Sequence, residues 1–282
     1  MKQPESKRRS REVPTPGGTT LIVDEIPAIL AGTPEGQAPG RLVHIDADGT
    51  ILFETLALSM PYDVARGADG QWLVSIIRAR AVQRLSPAGE LVSETKVGGY
   101  PCSLQLLEGG HVLVAGWDDD LPGFVREFDP GGEIVWALEG LQWPWKAERL
   151  PNGNTLVADA GRRRVFEVTR ERDEAWAIEG LGPAAPSLFD DLGPVYVQRL
   201  DDGHTLVSIR GESRVVEFDR EGDAVWEVGP PLLHKPYSAV RLRGGNTLVA
   251  DQGHFRVVEV TRRREIVWEM GGFGYPAKAY RL

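Results

Sequence analysis

Six blades of four antiparallel strands, a β-propeller closed by its own termini, are what this 282-residue chain predicts, and three observations carry the prediction. A glycine precedes an apolar strand six times, at Gly18, Gly70, Gly110, Gly153, Gly203 and Gly245. Around each lie runs of β-branched and aromatic residues parted by Gly, Asn, Asp and Pro, the mark of short strands with hairpin-length links. Nine residues ahead of the last five glycines stands a proline, at Pro61, Pro101, Pro144, Pro194 and Pro236, and the phrase returns at Pro276 in the closing "YPAKAYRL".

The order within a unit follows from these markers. The proline opens the innermost strand, because the first residue of an edge strand need not donate to the ladder. The glycine turn leads to a second strand such as "TLVAD", a variable loop to a third such as "RVVEV", and an Asp/Gly turn to a fourth ending in "VW". This register puts blade 2 at 61–97, blade 3 at 101–138, blade 4 at 144–178, blade 5 at 194–228 and blade 6 at 236–270. Blade 1 is split: residues 276–282 supply its inner strand and 16–58 the other three, a clasp that removes an unpaired edge. Residues 1–15, with "KRRSR", read as a solvated, disordered tail rather than an interaction arm. The insertions "EIPAILAGTPEGQAPG" and "GLGPAAPSLFDDLG" belong on one rim, where grafted loops usually bind.

Composition narrows the function. The net charge of -9 argues against a nucleic-acid binder. The single cysteine, Cys102, excludes an internal disulfide and a cysteine-based zinc site. No apolar run is long enough for a membrane span or a secretory h-region, so a soluble, cytoplasmic protein is expected. No motif specifies a cofactor or metal. The acidic run Asp118–Asp120 lacks the spacing of a calcium loop and reads as solvated charge.

The units "GNTLVADAGRRRVFEVTRERDEAWAIEG" and "GNTLVADQGHFRVVEVTRRREIVWEMGG" resemble the repeats of arylsulfotransferase-like, PQQ-like and NHL-like propellers. The resemblance covers nearly all of the chain beyond residue 15. It implies the fold, and no catalytic set of those families carries over.

Comparing the blades with one another separates scaffold from site. Asp24, Asp159 and Asp251 recur with Arg41, Arg164 and Arg256, which predicts an ion pair within the blade and leaves Arg214, in a blade with Ile209 at the aspartate position, as an unpaired exception and a ligand-binding candidate. Trp136, Trp176, Trp226 and Trp268 share one position and read as packing. His111 and His204 replace turn asparagines, and His44 aligns with Glu167, Glu217 and Glu259 at an expected solvated position. His234 and His254 sit in rim loops as a candidate acid/base or nucleophile pair.

Two positions behind each proline the residues are Asp63, Ser103, Lys146, Tyr196, Ser238 and Lys278, followed by the apolar Val64, Leu104, Ala147, Val197, Ala239 and Ala279. Strand alternation turns the two sets to opposite sides, so the varied polar set should ring the channel mouth. Lys146 and Lys278 could hold an anion, Tyr196 could donate a proton, and Asp63 could act as a base or pair a lysine. Mutually paired channel charges are the scaffold alternative. Tyr62, Trp145, Tyr237 and Tyr275 add aromatic surface, and Cys102 reads as a packed thiol.

The leading expectation is a propeller that binds a small anionic or aromatic ligand at this mouth. An enzyme using the same pocket for acid/base or group-transfer chemistry (lyase, isomerase or sulfotransferase-like) is the second reading, with Lys146, Tyr196, Asp63, His234 and His254 as catalytic candidates. The third is a scaffold that takes a protein partner through residues 25–40 and 181–193.

Overall fold

The computed structural model describes residues 18–25, 39–120, 122–184 and 192–282. Blade 1 contains β1 (Thr20–Asp24), β2 (Pro39–Ile45) and β3 (Ile51–Ser59). Blade 2 is β4 (Pro61–Arg66), β5 (Trp72–Ile76), β6 (Ala81–Leu85) and β7 (Leu91–Lys96). Blade 3 is β8 (Tyr100–Leu106), β9 (Val112–Trp117), β10 (Gly123–Phe128) and β11 (Ile134–Leu141). Blade 4 is β12 (Pro144–Arg149), β13 (Thr155–Asp159), β14 (Arg164–Val168) and β15 (Glu174–Ile178). Blade 5 is β16 (Pro194–Arg199), β17 (Thr205–Ile209), β18 (Arg214–Phe218) and β19 (Ala224–Val228). Blade 6 is β20 (Pro236–Arg241), β21 (Thr247–Asp251), β22 (Arg256–Val260) and β23 (Ile266–Gly271), and the chain ends in β24 (Pro276–Arg281). Each blade is a separate four-stranded antiparallel sheet, and the first has the order β24-β1-β2-β3. The six-bladed propeller and its clasp are therefore present as read.

At the clasp Thr20 faces Arg281 and Ile22 faces Ala279, and Leu282 N–H donates to Thr19 O at 2.8 Å. Asp24 fixes the approach of the closing strand by accepting Gly274 N–H at 3.0 Å and Tyr275 N–H at 2.8 Å. Asp159 and Asp251 treat the start of their own blades alike, taking the N–H groups of Gln142 and Trp143 and of His234. The repeated aspartate thus satisfies backbone donors that a buried strand entry would otherwise strand. Its expected arginine is beside it in two cases, Arg41 at 2.9 Å and Arg256 at 2.8 Å. Arg164 instead pairs with Glu174 and Glu179.

The apolar residues three behind each proline enter six different packed clusters, Val64, Leu104, Ala147, Val197, Ala239 and Ala279 each joining one. The core is a ring of blade-to-blade seams, as radial packing of sheets requires. Four seams carry the same polar lock. Arg149, Arg199, Arg241 and Arg281 lie over Trp136, Trp176, Trp226 and Trp268 of the preceding blade, and each pairs with that blade's third-strand glutamate. The N···O distances to Glu127, Glu167, Glu217 and Glu259 are 2.9, 2.7, 2.7 and 2.7 Å. The last of these bonds holds the closing strand β24 against blade 6, so the seam beside the clasp uses the same chemistry as the other locked seams.

This lock corrects the solvated position expected for His44 and its aligned glutamates. All four are buried, because the third strand's end packs on the next blade rather than facing water. His44 Nε2 lies 2.5 Å from Thr19 Oγ1, and its ring meets Trp72 edge-on. His111 and His204 occupy their turns and reach Glu127 and Glu217 at 3.0 and 2.9 Å. Asp118 pairs with Arg80 at 2.9 Å and Asp119 accepts the Tyr100 hydroxyl at 2.7 Å, so part of the acidic run is tied to the scaffold.

Candidate binding site in the central channel

All six inner strands shift register just after their proline. The bulge leaves the residue behind the proline outside the ladder and re-aims its side chain. Tyr62, Cys102, Trp145, Val195, Tyr237 and Ala277 therefore gather in one cluster of their own at the proline end. Tyr62 stacks on Trp145 at 5.6 Å, Tyr237 meets both rings edge-on, and the Tyr62 and Tyr237 hydroxyls lie 2.8 Å apart. Tyr275, expected in this group, instead meets Phe255 beside the clasp.

A second ring that sequence comparison missed surrounds this cluster. The residues at the ends of the second strands are Glu25, Ile77, Trp117, Ala160, Arg210 and Gln252, Trp117 closing its strand and the others following theirs, as varied from blade to blade as the polar ring. Arg210 sits over the Tyr237 ring and bonds Gln252 Oε1 at 3.0 Å. Burial pushes the Glu25 carboxyl up to about 7, against the opposing pull of Tyr62, which hydrogen-bonds it, and of Arg210 and Arg78. Tyr62 has one proton to give; given to Glu25, its oxygen accepts from Tyr237. Blade-by-blade comparison of this position is the signal that would have found it.

One layer deeper lies the predicted polar ring, between 0% and 7% exposed. It is not at the mouth. The bulged aromatic layer covers it on the proline side, which corrects the expected placement. Half of the ring has a backbone duty: Asp63, Ser103 and Ser238 accept N–H groups of the next blade's inner strand, from Leu104 at 3.1 Å, Ala147 at 3.2 Å and Ala279 at 3.3 Å. Each inner strand presents a free edge to the channel, and these acceptors satisfy it.

Asp63 is saturated. Besides Leu104 it accepts Val64 N–H at 2.8 Å, the Tyr280 hydroxyl at 2.6 Å and Lys146 Nζ at 3.4 Å. Tyr280 spends its proton on Asp63, and its oxygen is left to accept from Tyr196. Burial disfavours the Lys146 charge, but Asp63, Tyr196 and Glu148 outweigh it and hold the ammonium above its ordinary range. Burial pushes the Tyr196 hydroxyl up to about 12. Of the expected catalytic set, Lys146, Tyr196 and Asp63 come together as a network bonded to itself, with the Lys146 ammonium 5.3 Å from the Tyr196 ring centre.

Lys278 is different. It is 0% exposed, and among the described residues its Nζ has no hydrogen-bond partner. The amine lies 4.9 Å from the ring centre of Tyr196 and 5.6 Å from that of Tyr237. Burial lowers its affinity for a proton to about 8, Asp63 opposing and Lys146 reinforcing the shift. In the aromatic layer, Trp145 Nε1 is another buried donor without an acceptor among the described residues.

The remaining candidates lie elsewhere. His234 and His254 are 5.5 Å apart, centre to centre, with His254 bonded to Asp251 at 2.8 Å and His234 against Gly253 O at 3.3 Å. No hydrogen bond or ring contact among the described residues joins them to the channel ring. Arg214 is not unpaired: it binds Glu212 and Glu227. Cys102 is buried, and burial raises its thiol far above the range in which a thiolate forms. Most of the two expected partner segments, 26–38 and 185–191, lies outside the described residues, as does the basic tail.

At the opposite end, a cavity of about 1010 Å³ lies between the inner-strand ends of blades 5, 6 and 1, with Gln198, Val240, the arginines Arg199, Arg241 and Arg281 and the carboxylates of Asp201, Glu217 and Glu259 in its wall. Gln198 and Val240 stand two positions beyond Tyr196 and Ser238, so the cavity's wall reaches to within one side-chain layer of the polar ring.

The blades and the ring define the class: a six-bladed propeller with a buried, charged channel. No protein-family model matches the chain and no curated protein matches it, so none of the three repeat families it resembles is shown. Among solved structures it is similar to a protein of unknown function from Bacteroides caccae, with TM-score 0.72, 17% identity, and 94% of this chain and 99% of that one covered. It is also similar to a catalytically inactive virginiamycin B lyase from Staphylococcus aureus with quinupristin, with TM-score 0.60, 14% identity, and 92% and 85% covered. The WD40 propeller domain of Doa1 gives TM-score 0.60 at 13% identity, with 90% and 85% covered. At these identities the likeness is one of fold. No helix among the described residues is long and apolar enough to cross a membrane.

Proposed function

We propose that this propeller binds a small anionic ligand in its channel, with the Lys278 ammonium as the principal contact. The observation that carries the reading is the buried, unpartnered Nζ. A buried ammonium without acceptors costs several kcal/mol, and such groups are retained where a partner completes them. The neighbouring carboxylate cannot serve, since Asp63 already accepts four donors. An ammonium offers donors alone, so the missing partner is rich in acceptors. The cavity at the inner-strand ends, lined by arginines and carboxylates together, offers an approach from that side.

Calorimetric titration with acetate, pyruvate, lactate, sulfate and phosphate tests this. Binding of at least one is expected, weakened about 10- to 100-fold by Lys278→Met, as loss of a charge-assisted hydrogen bond would give. Arg214→Ala, on the rim, should leave it unchanged. Affinity for every bound anion unaltered by Lys278→Met would overturn the reading.

A further inference from the structure

We infer that Lys278 is a nucleophilic amine that condenses with the carbonyl of a small 2-oxo acid to form an imine inside the channel. The inference rests on the anion site proposed above and names its ligand class. Three features of the geometry lead to it. The amine is completely enclosed, its Nζ has no hydrogen-bond partner among the described residues, and a second cation shares one of its aromatic walls: Lys146 and Lys278 both face the Tyr196 ring, at 5.3 and 4.9 Å. Desolvation beside another positive charge is the arrangement that frees a lysine's electron pair at neutral pH.

With its affinity for a proton lowered to about 8, roughly a tenth of the amine is uncharged at pH 7. Lys146 cannot take this part, because Asp63 binds it directly and keeps it protonated. It can hold a carboxylate, having further N–H donors beyond the one given to Asp63. The two lysines thus divide a 2-oxo acid between them, one taking its charge and the other its carbonyl carbon.

The condensation balances without a further reagent. Lys278 begins as an ammonium with three N–H bonds; loss of one proton frees the pair that forms the C–N bond. A second N–H proton is lost as the carbonyl C–O bond breaks. Both protons leave with the carbonyl oxygen as one water, and the iminium nitrogen keeps the third. No group is oxidised or reduced.

Trapping tests it. The full-length protein is incubated with pyruvate and sodium cyanoborohydride, with intact mass and peptide mapping as readouts. One adduct per chain is expected, located at Lys278 and forming faster as pH rises from 6 to about 8. Lys278→Arg keeps the positive charge but cannot form the imine, and it should show no such adduct, while the unaltered protein should bind lactate as well as pyruvate. Lactate has the carboxylate without the carbonyl, so it separates the two readings. If pyruvate and lactate bind through Lys278 and no adduct is trapped, the imine is refuted and the anion site stands. If no tested anion depends on Lys278, both fail. An adduct formed equally in Lys278→Arg, or spread over surface lysines, also refutes the imine. Circular dichroism melts of each variant show whether a lost adduct reflects a lost fold.

Discussion

Replacing Lys278 with methionine should stabilise the ligand-free protein, which is unusual for a change at a fully buried position. Methionine has nearly the same length and volume, so packing changes little. The ammonium it removes is held in the fold at about 8 against an ordinary 10.5, a difference of about 2.5 units, or roughly 3 kcal/mol. The two tyrosine rings return about 1 kcal/mol through cation–π attraction, leaving a net gain of about 2 kcal/mol. For a domain this size that raises the melting temperature by about 3–4 °C at pH 7. The sign with pH follows from the depressed value. Below pH 8 the lysine is charged in both states and the folded state bears the whole penalty; between pH 8 and 10.5 the folded state has lost its proton while the unfolded chain retains its own. Above that range both are neutral and the penalty is gone. The gap between variant and wild type should therefore be full at pH 7 and shrink through pH 10. Calorimetric melts of dialysed protein at both pH values measure it. A variant that melts below wild type at pH 7 would mean that the amine already has an acceptor within the fold, and the argument for a ligand would collapse.

Two further outcomes follow from the same geometry. Glu25→Gln should match wild type near pH 4 and exceed it at pH 8 by up to about 3 kcal/mol, because a carboxyl raised to about 7 binds its proton more tightly folded than unfolded, so wild-type stability falls as pH rises from 4.5 to 7; urea unfolding at the two pH values shows the gap or its absence. At the clasp, Arg281→Ala leaves Glu259 buried without its cation and should cost about 3 kcal/mol, whereas deleting residues 276–282 removes the whole inner strand of blade 1 and should abolish the cooperative melt seen by circular dichroism; a single sharp transition in the deletion would mean that the ring closes by other means.

The fold was legible because each blade repeats the same local physics. A proline where a strand edge needs no donor, a glycine at positive φ in the first turn of blades 2 to 6 and a tryptophan over the next blade's arginine keep one phase through the chain. The clasp followed from that phase, and it placed Lys278 in the ring. What escaped the sequence depends on partners far along the chain. Asp63, Ser103 and Ser238 cap backbone groups 41 to 44 residues away, so alternation could show that they share a side but not that they are engaged. The bulge behind each proline changes which residues share a layer, and that is why the ring lies beneath Tyr62, Trp145 and Tyr237 instead of at the mouth. Arg214 departs from expectation for a different reason: its carboxylates do not stand at the aspartate position but at Glu212, two residues away, and at Glu227 across the hairpin.

The ring itself shows why Lys278 calls for a functional explanation. A serine at this position would continue the pattern of Ser103 and Ser238 and cap the next inner strand, whose corresponding N–H belongs to Val64. Lysine has no acceptor to offer. Val64 N–H is instead capped by the adjacent Asp63 through Oδ1 at 2.8 Å, while Oδ2 performs the ring's ordinary task on Leu104. The aspartate thus covers two junctions, and its negative charge keeps two buried lysines tolerable. A scaffold under selection for stability alone has a simpler solution available at both sites, the serine it already uses in two other blades. Keeping a donor at position 278 requires a changed residue in the neighbouring blade and leaves an amine without an acceptor among the described residues. Such an arrangement is coherent when the amine's partner comes from outside.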